Sequence, residues 1–173
     1  MPSGRTHDRL AWWSSIALLL IIGALWRWDL AFWAGAGSLF GGLMFSGDLD
    51  TVSRPLKRWG WLRWLWWPYR KLVPHRHSHS HGLIWGPVFR MAYLGVLAFL
   101  LAIGLQAGLQ MAGWSGVAGD VKRMTGQAAA GLAGLPQAGV AMAVIGVLVG
   151  NAVHSLADWV ATGAKRMRSR RRS

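Results

Sequence analysis

Four apolar runs, each long enough to cross a bilayer as a helix, take up most of this 173-residue chain. They cover Leu10 to Trp26, Leu30 to Gly47, roughly Val88 to Met111 and roughly Gly139 to Ala161. At 1.5 Å per residue the first run reaches about 25 Å, and it spans the hydrocarbon once its flanks join the helix. Backbone groups in lipid must be satisfied within their own segment, so such runs read as helices. Only Arg27, Trp28 and Asp29 separate the first two runs, which requires a tight antiparallel hairpin. The expected fold is therefore all-α, an integral membrane four-helix bundle with helices near 9–27, 30–47, 84–111 and 138–162. These form a single transmembrane domain, 1–164, with a Trp-, Arg- and His-rich loop at 48–83 and a basic tail at 165–173. Small residues at four-residue spacing (Gly37 and Gly41, Gly104 and Gly108, Gly146 and Gly150) suit close helix packing. No internal repeat is visible.

Composition agrees and narrows the function classes. The chain is 53% hydrophobic and only 14% charged, too apolar for a soluble basic protein of this size. Its thirteen tryptophans favour a membrane interface. Without cysteine there is no disulfide framework, thiolate zinc site or cysteine nucleophile. A cleavable signal peptide is disfavoured, because the small residues Ala34 to Gly37 lie inside a second apolar run.

Lysine and arginine placement sets the orientation. All but Arg27, Lys122 and Arg123 of the nineteen basic residues flank one side of the four runs. The positive-inside rule then places both termini and the 48–83 loop in the cytoplasm, here of a bacterial inner membrane. With that topology, every histidine and every aspartate except Asp29 and Asp120 collects at the cytoplasmic helix ends. His7 and Asp8 precede the first helix, Asp48 and Asp50 follow the second, and His75, His77, His79 and His81 precede the third. His154 and Asp158 leave the fourth.

Imidazole and carboxylate together are ligands for a borderline or hard divalent ion, with zinc first and manganese or iron as alternatives. His154 and Asp158 carry the strongest signal, because i, i+4 spacing stacks them on one helix face. His154 also sits close to the membrane boundary, where ionisable groups are expensive and functional. Of the tract His75 to His81, two residues are expected to be ligands and the other two incidental. Arg90 is expected to snorkel to the surface, although Arg54, Arg76 and Arg90 could clamp a phosphate. Trp59, Trp61, Trp64, Trp66 and Trp67 read as an interfacial anchor rather than a base-stacking surface. Residues 113–137 carry no signal.

Several strings add a resemblance. Ser3-Gly4-Arg5-Thr6-His7-Asp8, Gly41-Gly42-Leu43-Met44-Phe45 running into Gly47-Asp48-Leu49-Asp50, Arg58-Trp59-Gly60, Trp67-Pro68-Tyr69-Arg70-Lys71, and His75-Arg76 through Ser80-His81-Gly82 resemble a bacterial family of small membrane proteins labelled as predicted metal-binding. More distantly, His-Arg followed by Ser-His, the Asp-x-Asp pair and the late His-x-x-x-Asp are similar to membrane-bound metal-dependent hydrolases of the YdjM type. Those in turn are similar to zinc-dependent phospholipase C. The resemblance covers the chain except residues 113–137 and the tail. It implies His75 and His81 as the ligands of the tract and leaves His77 and His79 outside the pattern.

The expected ligand set is His7, Asp48, Asp50, His75, His81, His154 and Asp158, with Asp8 or Asp50 as catalytic proton acceptor. The expected function is a metal-dependent hydrolase of a phosphoester or other ester at the cytoplasmic membrane face. A non-catalytic metal-stabilised membrane protein and a metal transporter stay open as alternatives. Expected partners are anionic lipids of the cytoplasmic leaflet and a small-molecule or lipid substrate, with a homo-oligomer open and nucleic acid disfavoured.

Overall fold

A computed structural model describes residues 3–73 and 82–170, with the side chains of 165, 166 and 168–170 left out. His75, Arg76, His77, His79 and His81 therefore lie outside the described residues. Helices dominate, and no strand occurs among the described residues. Four helical segments are long and apolar enough to cross a membrane: Gly4–Leu25, Trp28–Asp50, Trp85–Met111 and Gln137–Ala164. The chain divides into two compact units, Met1–Arg90 with Ala138–Ser173, and Met91–Gln137.

In the first unit, α1 (Gly4–Leu25) starts before His7, not after Asp8 as the sequence suggested. The cause is Ser3, whose side chain accepts the Thr6 N–H at 3.2 Å and caps the helix. His7 and Asp8 are thereby fixed on the first turns of a helix. The hairpin expected around residues 27–29 forms as Trp26 closes α1 and α2 (Trp28–Leu43) begins at once. Arg27 braces the turn with two bonds to Asp29, at 3.0 and 2.7 Å.

α2 ends at Leu43, short of the expected residue 47, and a 3₁₀ turn at Gly47–Asp50 follows. The final long helix, α7 (Gln137–Arg170), continues through most of the segment expected to be a separate tail. No proline interrupts that stretch, and Ala, Lys, Met and Arg are good helix formers.

Glycine decides how these helices pack. A Cβ at Gly37 or Gly41 of α2 would run into the backbone of Ala143 or Val147. A Cβ at Gly146 or Gly150 of α7 would run into the carbonyls of Ala34 or Ser38. The two backbones touch along this seam, as small-residue spacing allows. On its other side α2 receives α1, with Gly42 facing the Ala11 methyl. α2 is thus the plate that holds α1 and α7.

The segment after α2 is folded rather than a loose loop. It contains α3 (Arg54–Arg58), a 3₁₀ helix (Gly60–Trp66) and α4 (Trp67–Leu72). Ser53 caps α3 by accepting the Leu56 N–H, and Pro55 suits the first turn. Trp66 is fully buried and meets Trp59, Phe45 and Tyr69 edge-on at 5.1–5.8 Å. The Trp59 indole N–H donates to the Met44 carbonyl at 2.9 Å, and Arg58 donates to the Leu43 carbonyl at 2.9 Å. The five tryptophans therefore split. Trp61, Trp64 and Trp67 are exposed, as an anchor needs, whereas Trp66 and much of Trp59 build a core. Burial pushes the Tyr69 hydroxyl above the usual tyrosine range, and the nearby Arg90 guanidinium draws it partly back.

Most of α5 (Trp85–Met111) belongs to the second unit, together with α6 (Ser115–Ala133). Residues 113–137 gave no signal in the sequence, yet most of them are helical. Gly113, at φ +78°, ends α5. Its N–H meets the Gln110 carbonyl, and the Trp114 N–H meets that of Leu109, a Schellman arrangement that favours glycine. A Cβ at Gly104 or Gly108 would meet nothing within 4 Å among the described residues.

The contrast is testable. Gly150→Leu should destabilise the protein by at least about 1–3 kcal/mol through overpacking, whereas Gly104→Leu should stay within about 0.5 kcal/mol. Thermal melts of the detergent-purified variants measure both, and equal losses would refute the α2–α7 seam.

Candidate metal centre

The seam between α2 and α7 has a chemical consequence at one end. On α1, His7, Ala11 and Ser15 are buried at four-residue spacing. On α7, Asn151, His154, Ser155 and Asp158 are buried on one face. Because both helices pack on α2, His7 meets His154 with ring centroids 4.1 Å apart and planes 29° from parallel. His7 Nε2 lies 3.3 Å from Asp158 Oδ1, and His154 Nε2 lies 3.8 Å from Asp158 Oδ2. The 3₁₀ turn adds Asp48, whose Oδ2 is 3.4 Å from His154 Nε2.

That turn is pinned at Asp48 itself. Its carbonyl accepts the Thr51 N–H at 3.1 Å, the Thr51 hydroxyl at 3.2 Å and the Ser53 hydroxyl at 2.7 Å.

The donor set fits a divalent cation. One ligand atom from each of His7, His154 and Asp158 falls within 4.8 Å of the others. With bonds of about 2.0–2.2 Å, the ligand atoms around one ion stand about 3–4 Å apart, which matches the contacts above. These groups are close, yet His7 Nδ1, both ring nitrogens of His154 and both oxygens of Asp158 are buried without hydrogen-bond partners. A buried polar atom left so costs about 1–3 kcal/mol. A shared cation would satisfy His154 Nε2 and Asp158 together, and it would relieve the cost of gathering buried carboxylates. Nitrogen and oxygen donors without thiolate suit zinc, manganese or iron.

The other expected site residues have different surroundings. Asp50 is buried, but its carboxylate acts on Arg90 and Tyr69, and its carbonyl accepts from Arg70 at 3.4 Å. Asp8 uses one oxygen for Arg54 at 2.5 Å and the other for Arg58 at 2.8 Å. Arg54 remains half-exposed beside the centre.

Arg90 does not snorkel. It is fully buried, donates to Asn151 Oδ1 at 2.5 Å and lies 5.5 Å from the Phe45 ring centroid. Partners inside the protein remove its need for water. Asn151 was missed in the sequence, although Asn151, His154 and Asp158 at three- and four-residue spacing on an apolar helix was the available signal. Lys57 was missed too, and an exposed lysine in a basic stretch gives no signal.

A cavity of about 290 Å³ adjoins the cluster. His7, Asp48 and His154 line it together with Asp8, Arg54 and Lys57. Ligand groups and cations therefore share one space open to a small anion.

Metal analysis of purified variants tests this geometry. His154→Ala and Asp158→Asn should each abolish stoichiometric metal, and His7→Ala should lower affinity at least tenfold. Asp8→Asn should keep the metal. Loss of metal in Asp8→Asn with retention in His154→Ala would place the ion elsewhere.

Comparison with known proteins supports metal binding. No curated protein and no solved structure matches the chain. One family model does, over residues 2–168, a span that includes all four groups of the cluster. The chain belongs to that family, described as "Uncharacterized metal-binding protein (DUF2227)".

Proposed function

We propose that this is a multi-pass membrane protein with a divalent metal at the cytoplasmic end of its helices, and that it hydrolyses an anionic ester, foremost a phosphoester. One observation carries the reading. His7, Asp48 and His154 line the same cavity as Arg54 and Lys57, so metal ligands and anion-binding cations face one space. The membrane assignment rests on four helices of sufficient length and hydropathy and on the one-sided basic residues. That distribution supports a topology with both termini and the 48–83 segment in the cytoplasm.

His7, His154, Asp158 and Asp48 would hold the ion, with zinc the first choice. A bound ion of this kind lowers the pKa of its water toward about 7 and polarises a phosphoryl oxygen. The chain's own residues do the rest. Arg54 and Lys57 draw the anion into the cavity and orient it. Asp8, shared between Arg54 and Arg58, keeps those side chains in place. The pinned carbonyl of Asp48 fixes the direction of its carboxylate, the most accessible of the four ligands. Asp48 is therefore better placed than Asp8 or Asp50 to take a proton from water entering the cavity.

The burial of His7, His154 and Asp158 favours one second reading, a structural ion closed by protein ligands. A transporter would instead hold its ligands near the midplane, at broken helices.

Two measurements test the proposal. Reporter fusions after residue 80 and at the C-terminus should both report cytoplasm, and opposite sides would break the topology. Metal-loaded protein in nanodiscs should hydrolyse bis-p-nitrophenyl phosphate, lose activity with a chelator and regain it with zinc or manganese. Lys57→Ala should raise KM several-fold with the metal retained. A fully metal-loaded protein that turns over no phosphoester or carboxyl ester would leave the structural ion as the reading.

A further inference from the structure

The metal cavity does not stand alone on the α1–α2 hairpin. A second space, a groove of about 270 Å³, opens between the same two helices. Its lining is apolar, with Trp12, Ile16 and Leu19 from α1 and Phe32 and Leu39 from α2. The Ser15 hydroxyl, the polar group at its floor, is spent on the Ala11 carbonyl at 2.6 Å. Gly35 keeps the floor low, since a Cβ there would sit 3.1 Å from the Leu19 Cβ.

The two spaces are registered on one strip of helix surface. Gly4, Asp8, Trp12, Ser15 and Leu19 follow three- and four-residue spacing and so share a face of α1. Gly4 and Asp8 line the metal cavity, and Trp12, Ser15 and Leu19 line the groove. On α2 the same handover occurs between Leu39, in the groove, and Gly42, three residues on, in the cavity. From Asp8 to Leu19 the helix rises about 16 Å, close to half of the ~30 Å hydrocarbon thickness. A pocket with cationic side chains thus lies in line with an apolar groove that follows the same helix faces for about one leaflet.

We propose that cavity and groove form a single site for a membrane lipid with a phosphate-bearing headgroup. Its phosphate sits against Arg54 and Lys57, and one acyl chain lies along Trp12, Ile16, Leu19, Phe32 and Leu39. The inference rests on the metal-dependent hydrolase reading and names its substrate class. Charge complementarity selects an anionic head, and the predominantly apolar lining of the groove selects a hydrocarbon tail. Hydrolysis there adds water across the ester. A P–O bond forms to the water oxygen, the P–O bond to the lipid alkoxide breaks, and the alkoxide takes the proton that the water gives up.

The test uses the metal-loaded full chain in phosphatidylcholine nanodiscs, with ethyl phosphate and dodecyl phosphate as probes in binding titrations. Dodecyl phosphate should bind at least tenfold more tightly than ethyl phosphate. Ala36→Phe fills the groove from an exposed position on α2, and it should erase most of that advantage without altering metal content or ethyl phosphate affinity. Ile16→Trp fills it from α1 and decides the matter should Ala36→Phe lose its metal. An advantage that persists undiminished in the filled variants reflects simple partition into the bilayer and overturns the proposal. Equal binding of the two probes to the unaltered protein also overturns it, while the hydrolase reading stands. Failure of ethyl phosphate to bind the metal-loaded protein at all removes both.

Discussion

Contact between the backbones of α2 and α7 supports most of what this protein presents. Lipid gives apolar helices no hydrophobic reason to associate, so close van der Waals approach has to supply the attraction. Gly37, Gly41, Gly146 and Gly150 permit that approach, because a Cβ at any of them would collide with the facing strand of main chain. The same seam brings His154 and Asp158 level with the end of α2, where α1 presents His7. A shift of either helix by one residue would turn His154 away from its partners.

Around the centre, polar groups are sorted into two neighbouring sets. His7, His154 and Asp158 are buried and close, and His7 Nδ1 and both ring nitrogens of His154 are left without hydrogen-bond partners. Arg90, by contrast, has a hydrogen bond to Asn151, a ring beneath it in Phe45 and the field of Asp50. A buried charge needs such partners, since leaving it unpaired is far costlier than leaving a neutral group unpaired. The first set is arranged for a cation, and the second supplies its own. Asn151 and His154 share α7, so the placement of Arg90 and the placement of the ligand face are mechanically linked.

The segment after α2 contributes more than topology. Its aromatic cluster of Phe45, Trp59, Trp66 and Tyr69 turns a short connection into a small core. That core holds the Gly47–Asp50 turn and α3 against the end of α2, and it thereby positions Asp48 on one side of the cavity and Arg54 and Lys57 on the other. The exposed Trp61, Trp64 and Trp67 leave the outer surface of the same segment suited to a lipid interface.

Local pattern in the sequence was sufficient for part of this. Run length and hydropathy specify the four long helices, and three residues between the first two specify the hairpin. The spacing of His154 and Asp158 puts them on one face, because helical periodicity needs no tertiary information. The same holds for the glycine pairs of α2 and α7, although the equally spaced Gly104 and Gly108 show that spacing alone does not say which pairs are used. Helix ends were less legible, because the cap at Ser3 was not recognised, and it starts α1 before His7. Helix 115–133 was missed because four glycines (Gly116, Gly119, Gly126 and Gly131) interrupt its helix-forming residues and lower the local preference. Tertiary structure alone decided that His7 stacks on His154, that Asp48 comes within 3.4 Å of His154, and that Arg90 and Trp66 go inside. Those outcomes depend on how helices distant in the chain cross and on which partners each side chain then finds, and neither is encoded in residue spacing.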